Sequence, residues 1–166
     1  MAEARMIDAE RARALLAEAR ARGWHVATAE SCTGGLVAAA LTDIPGSSDV
    51  FDRGYLTYSN AAKTEMVGVP AELIIAHGAV SEPVARAMAE GARKAAGVDL
   101  AIAITGVAGP GASEAKPEGL VWFATATAAG THAERRDFGP LGRQTVRARS
   151  VETALDLGLQ AVPGLP

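Results

Sequence analysis

At 166 residues, with 49% hydrophobic and 21% charged side chains, the chain is long enough to bury one sizeable core and predicts a single domain over residues 1–166. Its net charge of −3 argues against general nucleic-acid binding, and one cysteine with three scattered histidines leaves neither an intrachain disulfide nor a zinc-type metal cluster. No run reaches transmembrane length and the charged start Met1-Ala-Glu-Ala-Arg is not a signal peptide, so the expected location is the cytoplasm, with no membrane partner.

Residues Asp8 to Arg22 read as an amphipathic helix with Asp8 as N-cap, Gly23 as stop and a stripe of Ala12, Leu15, Leu16 and Ala19. A strand from Trp24 to Ala29 delivers a turn at Ser31, and a helix from Gly34 to Thr42 follows until Pro45-Gly46. Next comes a strand, Val50 to Tyr58, broken at Asp52-Arg53-Gly54. Ser59 or Asn60 then caps a short helix, Ala61 to Val67. A second short helix covers Ala71 to Ala76, and Ser81 caps a longer one that runs to Ala96 and stops at Gly97. The apolar run Leu100 to Thr105 has the character of a buried central strand, and a Gly-rich loop follows it. Leu120 to Thr127 and His132 to Phe138 form a hairpin across Ala128-Ala-Gly130. Gly139 to Gly142 opens a last helix to Leu159, with Val151, Ala154, Leu155 and Leu159 inward, and the tail Val162 to Pro166 is expected to fray. Strands separated by helices early and a hairpin late predict an α/β fold, a mixed sheet covered by helices on both faces.

Val26-Ala-Thr-Ala-Glu-Ser-Cys-Thr-Gly-Gly-Leu36 is the stretch around which chemistry would be organised. A hydroxyl at a strand-to-helix switch caps the helix, or lies beside unpaired N–H groups that stabilise an anion or oxyanion. Ser31 is one candidate nucleophile. Cys32 is its rival, because a helix N-terminus lowers a thiol's pKa; the alternative is a small buried side chain. Lys63 occupies the start of a helix, the unfavourable end of the dipole for a cation. Lowering its pKa from about 10.4 to about 8 would raise the neutral fraction at pH 7 from roughly 0.04% to roughly 10%, a usable general base for a Ser–Lys pair. A solvated surface lysine is the plain alternative. Tyr58 reads either as a core residue or as one that stacks on a ligand or relays a proton. The loop Gly106 to Gly111 lacks the context of a nucleotide-binding motif but suits a backbone nest for an anion. Arg143 and Arg147, four apart at the opening of the last helix, share a face, and a phosphate between them would relieve their repulsion. Two solvated arginines would explain the spacing equally.

Six segments occur in family order: Ala29-Glu-Ser-Cys-Thr-Gly-Gly35, Tyr58-Ser-Asn-Ala-Ala-Lys63, His77-Gly-Ala-Val-Ser81, Thr105-Gly-Val-Ala-Gly-Pro-Gly111, Lys116-Pro-Glu-Gly119 and Gly142-Arg-Gln-Thr-Val-Arg147. Together they resemble the CinA C-terminal domain family, the nicotinamide-nucleotide amidohydrolases, from about residue 8 to 160. Two positions depart from its pattern: Ala112 stands where another Gly is common, and Arg143 directly follows Gly142 where an acidic residue commonly intervenes. The resemblance implies a three-layer α/β/α sandwich in stand-alone form. It implies conversion of nicotinamide mononucleotide to nicotinate mononucleotide and ammonia, in pyridine nucleotide recycling, without cofactor or metal. It makes Ser31 the nucleophile, Lys63 its base and Tyr58 an assisting residue. Cys32, Thr33, Gly34, Thr105, Gly106, Gly109, Arg143 and Arg147 form the expected substrate-binding set, and backbone N–H groups at the start of the Gly34 helix the expected oxyanion site. The expected partner is the nucleotide itself, with a homodimer as the expected assembly. Two other classes remain beside this one: a non-catalytic module for a phosphorylated ligand or protein, in competence or DNA-damage responses, and an amidase for another substrate. A binding module needs no nucleophile and base, so Ser31, Tyr58 and Lys63 together favour the enzyme.

Overall fold

The structure, a computed structural model, describes residues 2–164; the last two residues of the predicted frayed tail lie outside that range. Five strands form one mixed sheet in the order β2-β1-β3-β4-β5. Strands β1 (Val26–Glu30), β2 (Phe51–Leu56) and β3 (Leu100–Gly106) are parallel, while β4 (Leu120–Thr127) and β5 (Gly130–Asp137) continue it as an antiparallel hairpin. Helices α1 (Ala2–Ala21), α2 (Leu36–Thr42) and α6 (Arg143–Ala161) cover one face. Helices α3 (Asn60–Val67), α4 (Ala71–His77) and α5 (Glu82–Ala96) cover the other. The fold is thus a three-layer α/β/α sandwich.

The two faces of the sheet carry different side chains because successive strand residues point in opposite directions. In β3, Leu100, Ile102 and Ile104 join Leu15, Leu16, Leu155 and Phe123 in the larger core. Ala101 and Ala103 face the other way, with Ala29, Ala124 and Ala126, and let α5 lie close against the sheet. Close packing continues outward. A Cβ on Gly91 of α5 would come within 1.8 Å of the Val67 carbonyl oxygen, so only glycine allows α3 to seat there. That seat holds the helix that carries Lys63.

Several boundaries differ from the sequence reading, each for a local reason. Asp8 lies inside α1 rather than at its start, because the preceding Ala, Glu, Arg and Met residues extend the helix. Helix α2 begins at Leu36, since Gly34 and Gly35 adopt φ of 58° and 97°. Strand β2 does not break at Asp52-Arg53-Gly54: Val26 pairs with Phe51 and Ala27 with Arg53, so Asp52 is accommodated as a bulge. Ser59 caps α3 by accepting a 3.0 Å bond from the Ala62 amide. Ser81 precedes α5 without capping it; its hydroxyl donates to Gly78 O at 2.8 Å. In α6 the buried face includes Leu157 and Gly158, whereas Leu159 is half-buried.

Candidate active site

The parallel strands β2, β1 and β3 end side by side, and in open α/β sheets the crevice beyond the strand ends is where ligands bind. Ser31 follows β1 directly, and its amide donates to Ile104 O at 2.9 Å, which locks it to β3. Thr57 follows β2 and is tied to β1 in the same manner, its amide donating to Glu30 O at 2.8 Å. A cavity of about 260 Å³ opens there, with Ser31 and Lys63 on one wall and the loop after β3 on the other.

Lys63 is 1% exposed and is the bulkiest of the fully buried side chains. Its Nζ lies 3.1 Å from Ser31 Oγ, 2.9 Å from Thr57 O and 3.4 Å from Tyr58 O. Among the described residues no carboxylate bonds to it, and burial pushes the ammonium down from the ordinary lysine value. The neighbouring Cys32 sulfur and, to a smaller extent, the Glu114 carboxylate offset part of this shift. Cys32 responds to the same burial in the opposite sense: its thiol is 6% exposed and is pushed up to about 12. A thiol held there is protonated at neutral pH, so the helix-terminus argument for Cys32 as rival nucleophile fails.

The start of α2 is not an open anion site. Glu30, 1% exposed, turns its carboxylate into that end and accepts from the amides of Val37 at 2.9 Å and Ala38 at 3.0 Å. Leu36 N donates to Thr33 O and Ala39 N to Gly35 O, so the first turn is fully engaged. Glu30 rather than Ser31 therefore caps the helix, which leaves the Ser31 hydroxyl to Lys63. The signal was present in the sequence: Gly35 offers no side-chain cap, and Glu30 is the acidic residue nearest to it.

The remaining expected site residues divide into those that border the cavity and those that do not. Cys32, Tyr58, Thr105, Gly106, Gly109 and Arg143 line it. Tyr58 is 59% exposed rather than buried in the core, and its hydroxyl accepts from Arg143 at 3.0 Å. Among the described residues it makes no bond to Ser31 or Lys63 through that hydroxyl. Arg143 also donates to Gly109 O at 2.8 Å, bridging the two lips of the cavity. Thr105 Oγ1 donates to Ala79 O at 2.9 Å and so holds the loop between α4 and α5 against β3. Thr33, Gly34 and Arg147 stand outside the cavity. Half-buried Arg147 donates to Cys32 O at 3.1 Å and Thr33 O at 3.2 Å, so it clamps the turn after Ser31 instead of pairing with Arg143. Its guanidinium would lie 3.1 Å from a Cβ on Gly34, which sits at φ 58°; both facts favour glycine there. Sequence reasoning passed over Asn60, Ala79, Val80 and Glu114, which also line the cavity. Among the described residues, no group of three His, Cys, Asp or Glu is placed to hold a metal, and no helix is long and apolar enough to cross a membrane.

Known proteins share this fold and much of this sequence. The nicotinamide-nucleotide amidohydrolase PncC of Escherichia coli K12 is 56% identical over 137 residues, 82% of this chain and 83% of that protein. A CinA-like protein of Mycolicibacterium gilvum is 54% identical over 143 residues, which make up 86% of this chain but 34% of that longer protein. The crystal structure of the competence/damage inducible protein CihA from Agrobacterium tumefaciens matches with a TM-score of 0.89 and 45% identity, covering 94% of this chain and 95% of the other. A CinA superfamily protein from Escherichia coli matches with a TM-score of 0.90 and 35% identity, covering 93% and 90%. A model of the CinA C-terminal domain matches residues 8–162. This chain belongs to the CinA C-terminal domain family.

Proposed function

We propose that the protein is an amidohydrolase that converts nicotinamide mononucleotide to nicotinate mononucleotide and ammonia, in pyridine nucleotide recycling. Its likeness to the nicotinamide-nucleotide amidohydrolase of Escherichia coli supports the substrate. The observation that carries the chemistry is the buried Lys63 amine, 3.1 Å from the Ser31 hydroxyl. A neutral amine has two N–H bonds and one lone pair. Thr57 O and Tyr58 O accept the two N–H bonds, at 2.9 and 3.4 Å, which turns the lone pair toward Ser31 Oγ.

Ser31 Oγ attacks the carboxamide carbon while its proton passes to Lys63 Nζ. The resulting tetrahedral oxyanion is met by the amide N–H of Cys32, a residue that borders the cavity and whose N–H meets its own sulfur but no carbonyl or carboxylate among the described residues. Lys63 returns the proton to the departing nitrogen, the C–N bond breaks and ammonia leaves. Water then attacks the acyl-enzyme ester with Lys63 again as base, releasing the carboxylate product and restoring the Ser31 hydroxyl. Arg143 binds the 5′-phosphate at the cavity mouth with donors not used on Gly109 and Tyr58. Tyr58 shapes that mouth, and Arg147 keeps the Ser31 turn in place.

Ammonia release from nicotinamide mononucleotide by the purified protein, beside a Ser31→Ala variant, tests this reading. Turnover lost with Ser31 supports it; no release by the wild-type protein refutes the substrate, and full activity in the variant refutes the nucleophile.

A further inference from the structure

Glu114 is the single carboxylate among the described residues that line the cavity, where the two cations are Lys63 and Arg143. Its position is costly to maintain. Glu114 and Ala115 adopt φ of 51° and 60°, the left-handed region that residues with a Cβ avoid. Such strain persists only where the surroundings over-determine it, and they do so here. Ser113 and Lys116 exchange two backbone hydrogen bonds, of 2.9 and 2.8 Å, across the turn. Lys116 Nζ donates to the carbonyls of His77 and Val80. Glu114 Oε2 accepts from the Ala79 amide at 3.0 Å. One carboxylate oxygen is thereby fixed to the wall, and Oε1 has no partner among the described residues. The Lys116 ammonium lies nearby: a Cβ on Gly78 would stand 3.0 Å from Glu114 Oε2 and 3.1 Å from Lys116 Nζ. That ammonium is engaged by the two carbonyls and does not line the cavity, so Glu114 is the negative charge a ligand there would meet.

The substrate proposed above supplies the matching charge. Its ring nitrogen is cationic because it carries the glycosidic bond, and its phosphate is anionic. A cavity with Arg143 and Glu114 both on its wall carries the opposite pair. We propose that Glu114 is the counter-ion of the pyridinium ring, a specificity-determining residue that makes the site prefer a cationic amide over an uncharged one of the same shape. This rests on nicotinamide mononucleotide being the substrate. The negative charge of Glu114 also reaches Lys63 and favours its protonated form. A cation bound beside Glu114 cancels that influence, so the arriving substrate moves Lys63 toward the neutral state in which it acts as base. The Cys32 thiol, protonated up to about 12, adds no charge to this balance at neutral pH.

The test measures binding without turnover, in a Ser31→Ala background, for nicotinamide mononucleotide and for its dihydro form, whose ring is uncharged. Glu114→Gln keeps an oxygen for the Ala79 amide and removes the charge; Glu114→Asp keeps the charge and shortens the reach to that amide. Calorimetric Kd values are expected to rise about ten-fold for the cationic nucleotide in the Gln variant, the size of one partly screened ion pair. The dihydro nucleotide should change less than about two-fold, and the Asp variant should retain more of the preference than the Gln variant. Equal weakening of both ligands by Glu114→Gln, or a preference lost in Asp and kept in Gln, would reduce Glu114 to a loop anchor and overturn the proposal. If the wild-type protein releases ammonia from nicotinamide mononucleotide and this result is still obtained, Glu114 alone is misassigned. If it releases none, the substrate reading and the proposal fall together.

Discussion

Replacing Lys63 with methionine tests the base directly, because methionine has similar length and no charge. Lys63 is 1% exposed and among the described residues bonds only to neutral oxygens, so burial holds its folded pKa below the value of 10.5 it has when exposed. Between those two values the unfolded chain binds a proton that the folded chain does not, and stability therefore rises with pH. Below the folded pKa both states are protonated and the full penalty of burying the charge stands. Across the window the slope approaches about 1.4 kcal/mol per pH unit, for a single proton. That corresponds to about 3–6 °C in Tm for a domain of this size. Urea unfolding of wild type and Lys63→Met from about pH 6 to 11, at fixed ionic strength, gives the difference in stability. It should be flat at low pH, rise through the window and level off above 10.5. The lower break reports the folded pKa of Lys63 and should coincide with the acid limb of kcat/KM against pH. A difference that stays flat up to 10.5 would mean that Lys63 titrates like a surface lysine, and the base would have to be another group.

Ser31→Ala should abolish ammonia release with little change in Tm, since Glu30 and not Ser31 caps α2, while Cys32→Ser should keep substantial activity; the reverse pattern in an ammonia assay would invert the assignment. Glu30→Ala removes two hydrogen bonds from a buried carboxylate and should cost about 2–4 kcal/mol, read as a Tm loss of about 4–16 °C. Arg143→Ala should raise KM about 10- to 150-fold for the mononucleotide and far less for the riboside, which lacks the phosphate. Arg147→Ala should lower kcat alike for both, because Arg147 lies outside the cavity and donates to the carbonyls of Cys32 and Thr33 in the Ser31 turn; steady-state kinetics on the two substrates separates this role from phosphate binding.

What could be read in the sequence was whatever depends on local pattern. The alternating β3 run, the stripe of Ala12, Leu15, Leu16 and Ala19, and the Gly stops at 23 and 97 all mark elements that the structure contains. A strand interrupted by Asp52-Arg53-Gly54 was misread because a bulge absorbs an extra residue without ending the pairing, and nothing local distinguishes a bulge from a break. The start of α2 was misplaced for a related reason. Glycine suits both a helix N-terminus and a left-handed turn, and only the pairing of Glu30 with Val37 and Ala38 decides which.

The site was legible as residue types and much less so as contacts. Helical spacing placed Arg143 and Arg147 on one face correctly, yet residues four apart on a helix lie about 6 Å from each other. The border between the cavity and the Ser31 turn runs through that gap. Arg143 therefore reaches Gly109 and Tyr58, and Arg147 reaches Cys32 and Thr33. No periodicity argument sees such a border, because it is set by where β1, β2 and β3 end and how α6 crosses them. The same holds for Lys63. Its place in the chain suggested a cation opposed by a helix dipole, a modest effect of about 0.3–1 kcal/mol. In the folded protein burial is the cause that lowers its pKa, and the helix that carries it is seated by Val67, at its last turn, against Gly91. Gly91, 28 positions away on another helix, thus bears on Lys63 only through the seating of α3, and a bulky substitution there should displace that helix, let water reach Lys63, raise its pKa and shift the acid limb of the rate profile upward.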